Sequence, residues 1–397
     1  MQIKVKAKEL LEVLNKIKHI AKPDKSCPVL SCGIFETIGN GVQITASSLI
    51  SYAIVTAPAE IIEPGKCLIE IGKLATILAT LNGDVIIEEK DTTIWIKCGN
   101  TKCRLEKQSL AQYPENLLNM KDVQCSFEMS CSGLIEGIEK TKNFTSNFAT
   151  YILRGINLKT ENNIVKFTAT DGNRLAYVIK AYKENMKNST EIDEEGRRGG
   201  KASDENIKNS TETGKEGKKA DLCCDVIIPL DAAANLLPLI ISDGDVEISI
   251  NESVCKFDIK SDQGNIIFCT RLIEGQFPKV EQLIPKESAI SFSLNKEELK
   301  NVLERIGAVE CKEDQFRVMF SIKGTFATIE AKDYKCNDVL TLSEKNGEDI
   351  SFILNRIFLD AVLNVLRTDV VKFNLNSPKS AVLFSDMEHK YMIMPMA

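Results

Sequence analysis

One short pattern occurs three times in this chain, and it limits the possible fold more than any other feature of the sequence. Ile3-x-Val5 followed by Leu10 and Leu14 recurs as Phe127-x-Met129 with Leu134 and Ile138, and as Phe292-x-Leu294 with Leu299 and Leu303. Alternating apolar residues followed by an i, i+4 pair read as a short strand that runs into an amphipathic helix. A second marker, an apolar helix-like stretch closed by Asp-Val and a strand, falls at Asp84-Val85, Asp245-Val246 and Asp369-Val370. Copies of the first marker lie 124 and 165 residues apart, and copies of the second 161 and 124 apart. Both long intervals contain Lys183 to Leu222, and without those 40 residues the two markers agree on one period of about 121 to 125 residues. Three tandem domains follow, at 1–123, 124–285 and 286–397.

Domains of ~120 residues are of ordinary size, and a chain with 43% hydrophobic residues has ample material for their cores. No apolar run reaches the roughly 18 residues needed to span a bilayer, and the first six residues alternate charged with apolar positions, unlike a signal peptide. A soluble, cytoplasmic product is expected. The 13 cysteines show no C-x-x-C pair and only two histidines, His19 and His389, are present, so buried reduced thiols are expected rather than a metal site or a disulfide framework. Two histidines, one near each end, also argue against His-based catalysis.

Net charge is −6, which by itself argues against a nucleic-acid binder. Its distribution is more informative. The helix after each first marker carries bases: Lys6, Lys8, Lys16 and Lys18, then Lys140 and Lys142, then Lys296, Lys300 and Arg305. Acidic residues share those helices, so charge alone describes a solvated face with i, i+4 pairs.

The insert at 183–222 contains no aromatic residue and is rich in Lys, Glu, Asn, Ser and Gly, too polar to offset its chain entropy, and is expected to be a disordered loop. Each domain should hold two helices and about eight strands, the second helix carrying Leu74, Ile77 and Leu78, then Leu236, Leu237 and Leu239, then Leu359, Val362 and Leu363. The fold class is α+β, with helices on one side of antiparallel sheets. Lys102-Cys103-Arg104-Leu105 leading to Tyr113-Pro114 is repeated by Cys269-Thr270-Arg271-Leu272 leading to Phe277-Pro278, an aromatic-Pro step that ends a strand and opens a linker.

The most specific stretch is Ala169-Thr170-Asp171-Gly172-Asn173-Arg174-Leu175-Ala176, a strand that breaks at Asp-Gly and re-enters a strand. With Arg271-Leu272-Ile273-Glu274-Gly275-Gln276-Phe277-Pro278 and the Met394-Pro395-Met396 end, the chain resembles the bacterial DNA polymerase III beta subunit, the replicative sliding clamp family, over its whole length. That resemblance implies three domains of the DNA-clamp fold and a head-to-tail homodimer closed into a ring, helices lining the hole and sheets outside. It implies a processivity factor of a DNA polymerase holoenzyme, not an enzyme, with no cofactor and no metal. Its implied partners are duplex DNA bound without sequence preference, a second copy, the polymerase III alpha subunit, the clamp loader and other proteins carrying a clamp-binding motif.

The resemblance also assigns residues. The DNA-facing set would be Lys22, Lys25, Lys140, Lys142, Asn147, Tyr151, Lys296, Lys300 and Arg305. A peptide pocket would be formed by Leu153, Thr170, Gly172, Asn173, Arg174, Leu175, Pro278, Leu283, Met392, Met394, Pro395 and Met396. Rigid Leu and Pro walls with adaptable methionines suit several partner sequences. For the dimer seam it points to Cys103 and Leu105 against Ile306, Ala308 and Val309. The competing classes are an α+β enzyme, for which the nucleotide-binding, serine-hydrolase and zinc-protease motifs are all missing, and a scaffold of the same fold with no DNA role.

Overall fold

The computed structural model of the chain describes residues 1–23, 27–113, 120–184, 224–240, 243–260, 264–309, 316–331 and 336–396. Six α-helices are present among them: α1 Ala7–Ile17, α2 Ile71–Leu78, α3 Cys131–Thr141, α4 Leu230–Leu236, α5 Lys296–Val309 and α6 Arg356–Val365. They alternate with strands so that one succession of elements is played through three times, two helices each time. The marker residues explain why. Leu10, Leu14 and Ile17 in α1, Leu134 and Ile138 in α3, and Leu299, Leu303 and Ile306 in α5 are all buried, a stripe recurring every three or four residues. Where a side chain caps the start it is of the expected type: Ser130 accepts from the Gly133 amide, and Asn355 from those of Ile357 and Phe358.

Each repeat has nine strands among the described residues, one more than the sequence suggests. The additional one is a short edge strand, Glu60–Glu63, Lys183–Glu184 or Glu344–Asn346, too brief to show a period in the sequence. Lys183–Glu184 pairs with Phe127 and Glu128, so the first two residues of the expected disordered insert are strand; the rest, 185–222, lies outside the described residues.

Every repeat divides into a half of five strands and a half of four, and the halves join across repeat boundaries. Strand Ile266–Arg271, the last of the second repeat's five, pairs antiparallel with Ser51–Pro58 of the first, giving one nine-stranded sheet. Strand His389–Ile393 of the third pairs in the same manner with Arg174–Ala181 of the second, giving another. What remains is a five-stranded sheet ending at Thr101–Glu106 and a four-stranded sheet ending at Asn337–Thr341. Those two strand edges are the counterparts of the joined ones and are unpaired in the single chain.

Helices α1, α3 and α5 pack on the strands Ser51–Pro58, Arg174–Ala181 and Asn337–Thr341 respectively, so each covers the joining strand of a four-stranded half. A continuous apolar core runs between helices and sheets through all three repeats, with Phe127, Phe257 and Phe268 in the second and a stack of Phe292, Phe320, Phe352, Phe373 and Phe384 in the third. Of the 11 cysteines among the described residues, seven are buried.

Candidate functional site

The Asp171-Gly172 turn links strands Ile164–Thr170 and Arg174–Ala181, whose second member carries the joint to the third repeat. Its geometry is set locally. The Asp171 carboxylate accepts from the amides of Asn173 (3.0 Å) and Arg174 (3.1 Å) and pairs with the Arg174 guanidinium at 2.8 Å. The Thr170 hydroxyl donates to the Arg174 carbonyl at 2.6 Å and accepts from the Gly172 amide at 3.1 Å. Gly172 has φ +94, a conformation that glycine takes without steric cost, and a Cβ there would point into open space.

Around that turn the structure brings many of the expected pocket residues together. Leu175 and Met392 lie directly opposite each other across the joint and share an apolar cluster with Phe277 and Val280 of the linker, against which Leu153 packs. Pro278 and Leu283 sit exposed at its rim, Leu283 at 64%. Met394 is exposed at 40% and is tethered by its amide to the Asn173 carbonyl at 2.7 Å. Beyond it the tail crosses to a cleft. The Met396 amide donates to the Ile353 carbonyl at 2.8 Å, and Pro395 and Met396 line a cleft of about 440 Å³ with Met319, Phe352, Ile353 and Pro378. The expected set is therefore split between a packed apolar cluster and an adjoining cleft, with Met394 between them.

Sequence reasoning missed Met319, Ile353 and Pro378 in the cleft, and Phe358, whose ring lies 4.4 Å under the Arg174 guanidinium. Only the outward position of Ile353 in an alternating strand hinted at them.

Lys140 is a correction. Expected on the DNA-facing surface, it is 6% exposed, with its ammonium 3.2 Å from Asp386 and 3.0 Å from Glu136. A charge of this kind is retained in the interior because two carboxylates surround it, and it cannot reach a phosphate. Glu136 is the centre of the group: Lys180 also pairs with it, Arg367 approaches to 2.6 Å and the His389 ring to 3.6 Å. Burial pushes the Glu136 carboxyl upward, but contacts with Lys180 and Lys140 outweigh that and hold it at about 2. Burial, with Lys140 and Lys180 nearby, lowers His389 below the usual histidine range.

The other expected DNA-facing residues are more accessible. Lys22, Asn147 and Tyr151 are exposed, Tyr151 at 57%, and Asn147 donates to Asp231 at 3.3 Å. Arg305 pairs with Asp338 at 3.0 Å and Lys142 with Glu139 at 2.7 Å. Lys300 reaches Asn364 of α6, and Lys296 caps the Leu366 carbonyl just past it, so both tie α5 to α6. Lys25 lies outside the described residues.

At the expected seam, Cys103 and Leu105 are half-buried on the unpaired edge strand Thr101–Glu106. Ala308 and Val309 are exposed at the end of α5. Ile306 is a second correction: it is 0% exposed, inside the third repeat's core, because it continues the Leu299, Leu303 stripe inward. No cluster of metal-ligating side chains occurs among the described residues, and none of their helices is long and apolar enough to cross a membrane.

Three repeats of helix-backed, half-shared sheets constitute the DNA-clamp fold. Solved structures bear this out: a DNA polymerase sliding clamp from Bacillus subtilis superposes with a TM-score of 0.83 at 19% identity, covering 100% of this chain and 99% of that one. A Helicobacter pylori beta clamp bound to a DNA ligase peptide gives 0.80 at 19% identity, with 100% of each chain covered. Residues 1–119 match the family described as DNA polymerase III beta subunit, N-terminal domain. Over its whole length the chain is 23% identical to the beta sliding clamp of Haemophilus influenzae, covering 100% of both. It is 24% identical to that of Synechococcus elongatus, covering 100% of this chain and 99% of its relative. Residues 1–119 thus match the DNA polymerase III beta subunit family, and over its whole length the chain is similar to the bacterial beta sliding clamps, which are processivity factors and not enzymes.

Proposed function

We propose that this chain closes head to tail with a second copy into a ring around duplex DNA and tethers the replicative polymerase to its template as a subunit of the holoenzyme. One observation carries this reading. Two seams inside the chain each join a five-stranded half to a four-stranded half, and the chain is left with one unpaired half of each kind. Exposed strand edges of matching kind invite pairing with another copy, and two copies satisfy both edges at once with no edge left over. Domain limits at 123/124 and 285/286 fit the linkers that leave the last strand of each five-stranded half.

In such a ring the helices α1 to α6 face the hole. Lys22, Lys142, Lys296, Lys300, Arg305, Asn147 and Tyr151 then supply a modest sequence-independent attraction for phosphates, weak enough to let the ring slide. The pairs that Arg305 and Lys142 make in the free chain are exposed ones, worth little and readily exchanged for phosphate. The cleft beside Met394 and the apolar surface around that residue accept a short linear peptide, an occupant supported by the DNA ligase peptide on the Helicobacter pylori relative. Peptides of the polymerase alpha subunit, the loader and other motif-bearing proteins compete for this position in the cytoplasm.

The test is topological. The reduced protein should sediment at about twice its 44.1 kDa chain mass, and after loading it should stay on nicked circular DNA and be lost when that DNA is linearised. A monomer at all concentrations, or retention indifferent to linearisation, overturns the ring.

A further inference from the structure

The two seams inside the chain share one register, and it extends to the open edges. Following the ladders across each five-stranded half from the equivalent marker residues Ile3, Phe127 and Phe292 leads to Cys103, Phe268 and Tyr391 on its joining strand. This places Cys103 level with Phe268, two residues from the match suggested by the sequence of the two passages. Following each four-stranded half from Ile69, Ile228 and Leu354, each two residues before the second helix of its repeat, leads to Ala53, Ala176 and Cys336. At the seams within the chain Phe268 stands directly opposite Ala53, and Tyr391 directly opposite Ala176. By the same register, Cys103 of one copy stands opposite Cys336 of the other.

The hydrogen-bond phase agrees independently. The Arg271 amide donates to the Ile50 carbonyl and the Met394 amide to the Asn173 carbonyl. Since bonded and non-bonded pairs alternate along an antiparallel ladder, Phe268/Ala53 and Tyr391/Ala176 are both non-bonded pairs. Cys336 accepts from the Ala331 amide on its inner side, and the bond from the Lys107 amide to the Thr92 carbonyl sets Cys103 as a bonded partner of Ile96 on its own. Each cysteine therefore turns its non-bonded side to the open edge. Cα atoms in a non-bonded pair lie about 4.5 Å apart, inside the roughly 4.4–6.8 Å window of disulfides. Both side chains lie half-buried against the core, on the same face of the sheet as their counterparts.

We propose that Cys103 and Cys336 meet across the seam between copies and are oxidised there by a low-molecular-weight disulfide such as oxidised glutathione, locking the ring with an intersubunit disulfide. This rests on the ring reading above. In the open form the Cys103 thiolate attacks one sulfur of the glutathione disulfide and releases one glutathione thiolate. On closure the Cys336 thiolate attacks the Cys103 sulfur of the mixed disulfide, forming the protein S–S bond and releasing the second glutathione thiolate. Two protein thiols are oxidised, one glutathione disulfide is reduced, and the two thiol protons pass to solvent or to the released thiolates.

The experiment uses the full chain, its C103S and C336S variants, and C255S as a control at a buried thiol. Sedimentation under reducing conditions reports the dimer, and a non-reducing denaturing gel after exposure to oxidised glutathione reports the bond. The proposal expects dimers of all four proteins, cross-linked chains of twice the mass for the wild type and C255S, and a fall to background for C103S and C336S. Peptide mapping should find Cys103 joined to Cys336. A dimer that does not cross-link, or a cross-link that survives in C103S or C336S, overturns the cysteine pair and leaves the ring standing. A chain that is monomeric when reduced overturns both.

Discussion

At the scale of single residues, the buried ion cluster and the exposed methionine make opposite predictions. Lys140→Met leaves Asp386 and Glu136 short of a buried cation and should destabilise the fold by about 3 kcal/mol in urea unfolding, the cost of breaking such a pair from one side. Glu136, held at about 2 against an ordinary 4.5, contributes stability that is complete above about pH 4.5 and disappears as the pH falls toward about 2. The stability gap between wild type and Glu136→Gln should accordingly shrink across that acid window; a gap constant with pH would contradict the assignment. Met394→Ala, at an exposed site, should leave stability within about 0.5 kcal/mol yet weaken a polymerase-derived peptide about tenfold by titration. Leu175→Ala is the poorer test, since a side chain that is 4% exposed costs about 2–5 kcal/mol on truncation. The Leu175 and Met394 positions were legible because a local motif carries them. Lys140 was not, because its partner Asp386 lies 246 residues away and no helix pattern announces it.

At the scale of elements, the strand-helix markers were readable because burial enforces a period of two in strands and 3.6 in helices, and the chain writes that signal three times. Register was not readable, since it depends on hairpin lengths and on which edges meet. The two-residue offset between Cys103 and its true counterpart Phe268 is a case in point. Packing of helix on sheet brings its own test at Gly137 in α3, where a Cβ would lie 2.6 Å from the Phe167 ring. Alanine is favoured over glycine inside a helix by about 1 kcal/mol, but forcing an atom into a filled core costs about 1–3 kcal/mol. Gly137→Ala should therefore be net neutral to destabilising by up to about 2 kcal/mol, and a gain in urea midpoint would mean that α3 can shift away from the sheet.

At the scale of the whole molecule, the proposed ring makes the open strand Thr101–Glu106 decisive for assembly. With Cys103 bonded inward, Arg104 turns its amide to the open edge and donates to no strand of its own chain. Arg104→Pro should leave the single chain folded while weakening the dimer at least tenfold, read as a concentration-dependent fall in sedimenting mass. Equal dimerisation would mean that the copies associate by some other surface. Ring closure was expected from resemblance, but the observation that supports the proposal, halves of five and four strands left over at the ends of the chain, emerges only from sheet order. A bracelet assembled from two such chains has four joints riveted by continuous polypeptide and two clasps that are not. If two copies close into the proposed ring, opening it around DNA has to happen at a clasp, because prising apart a riveted joint would tear through a chain's own core.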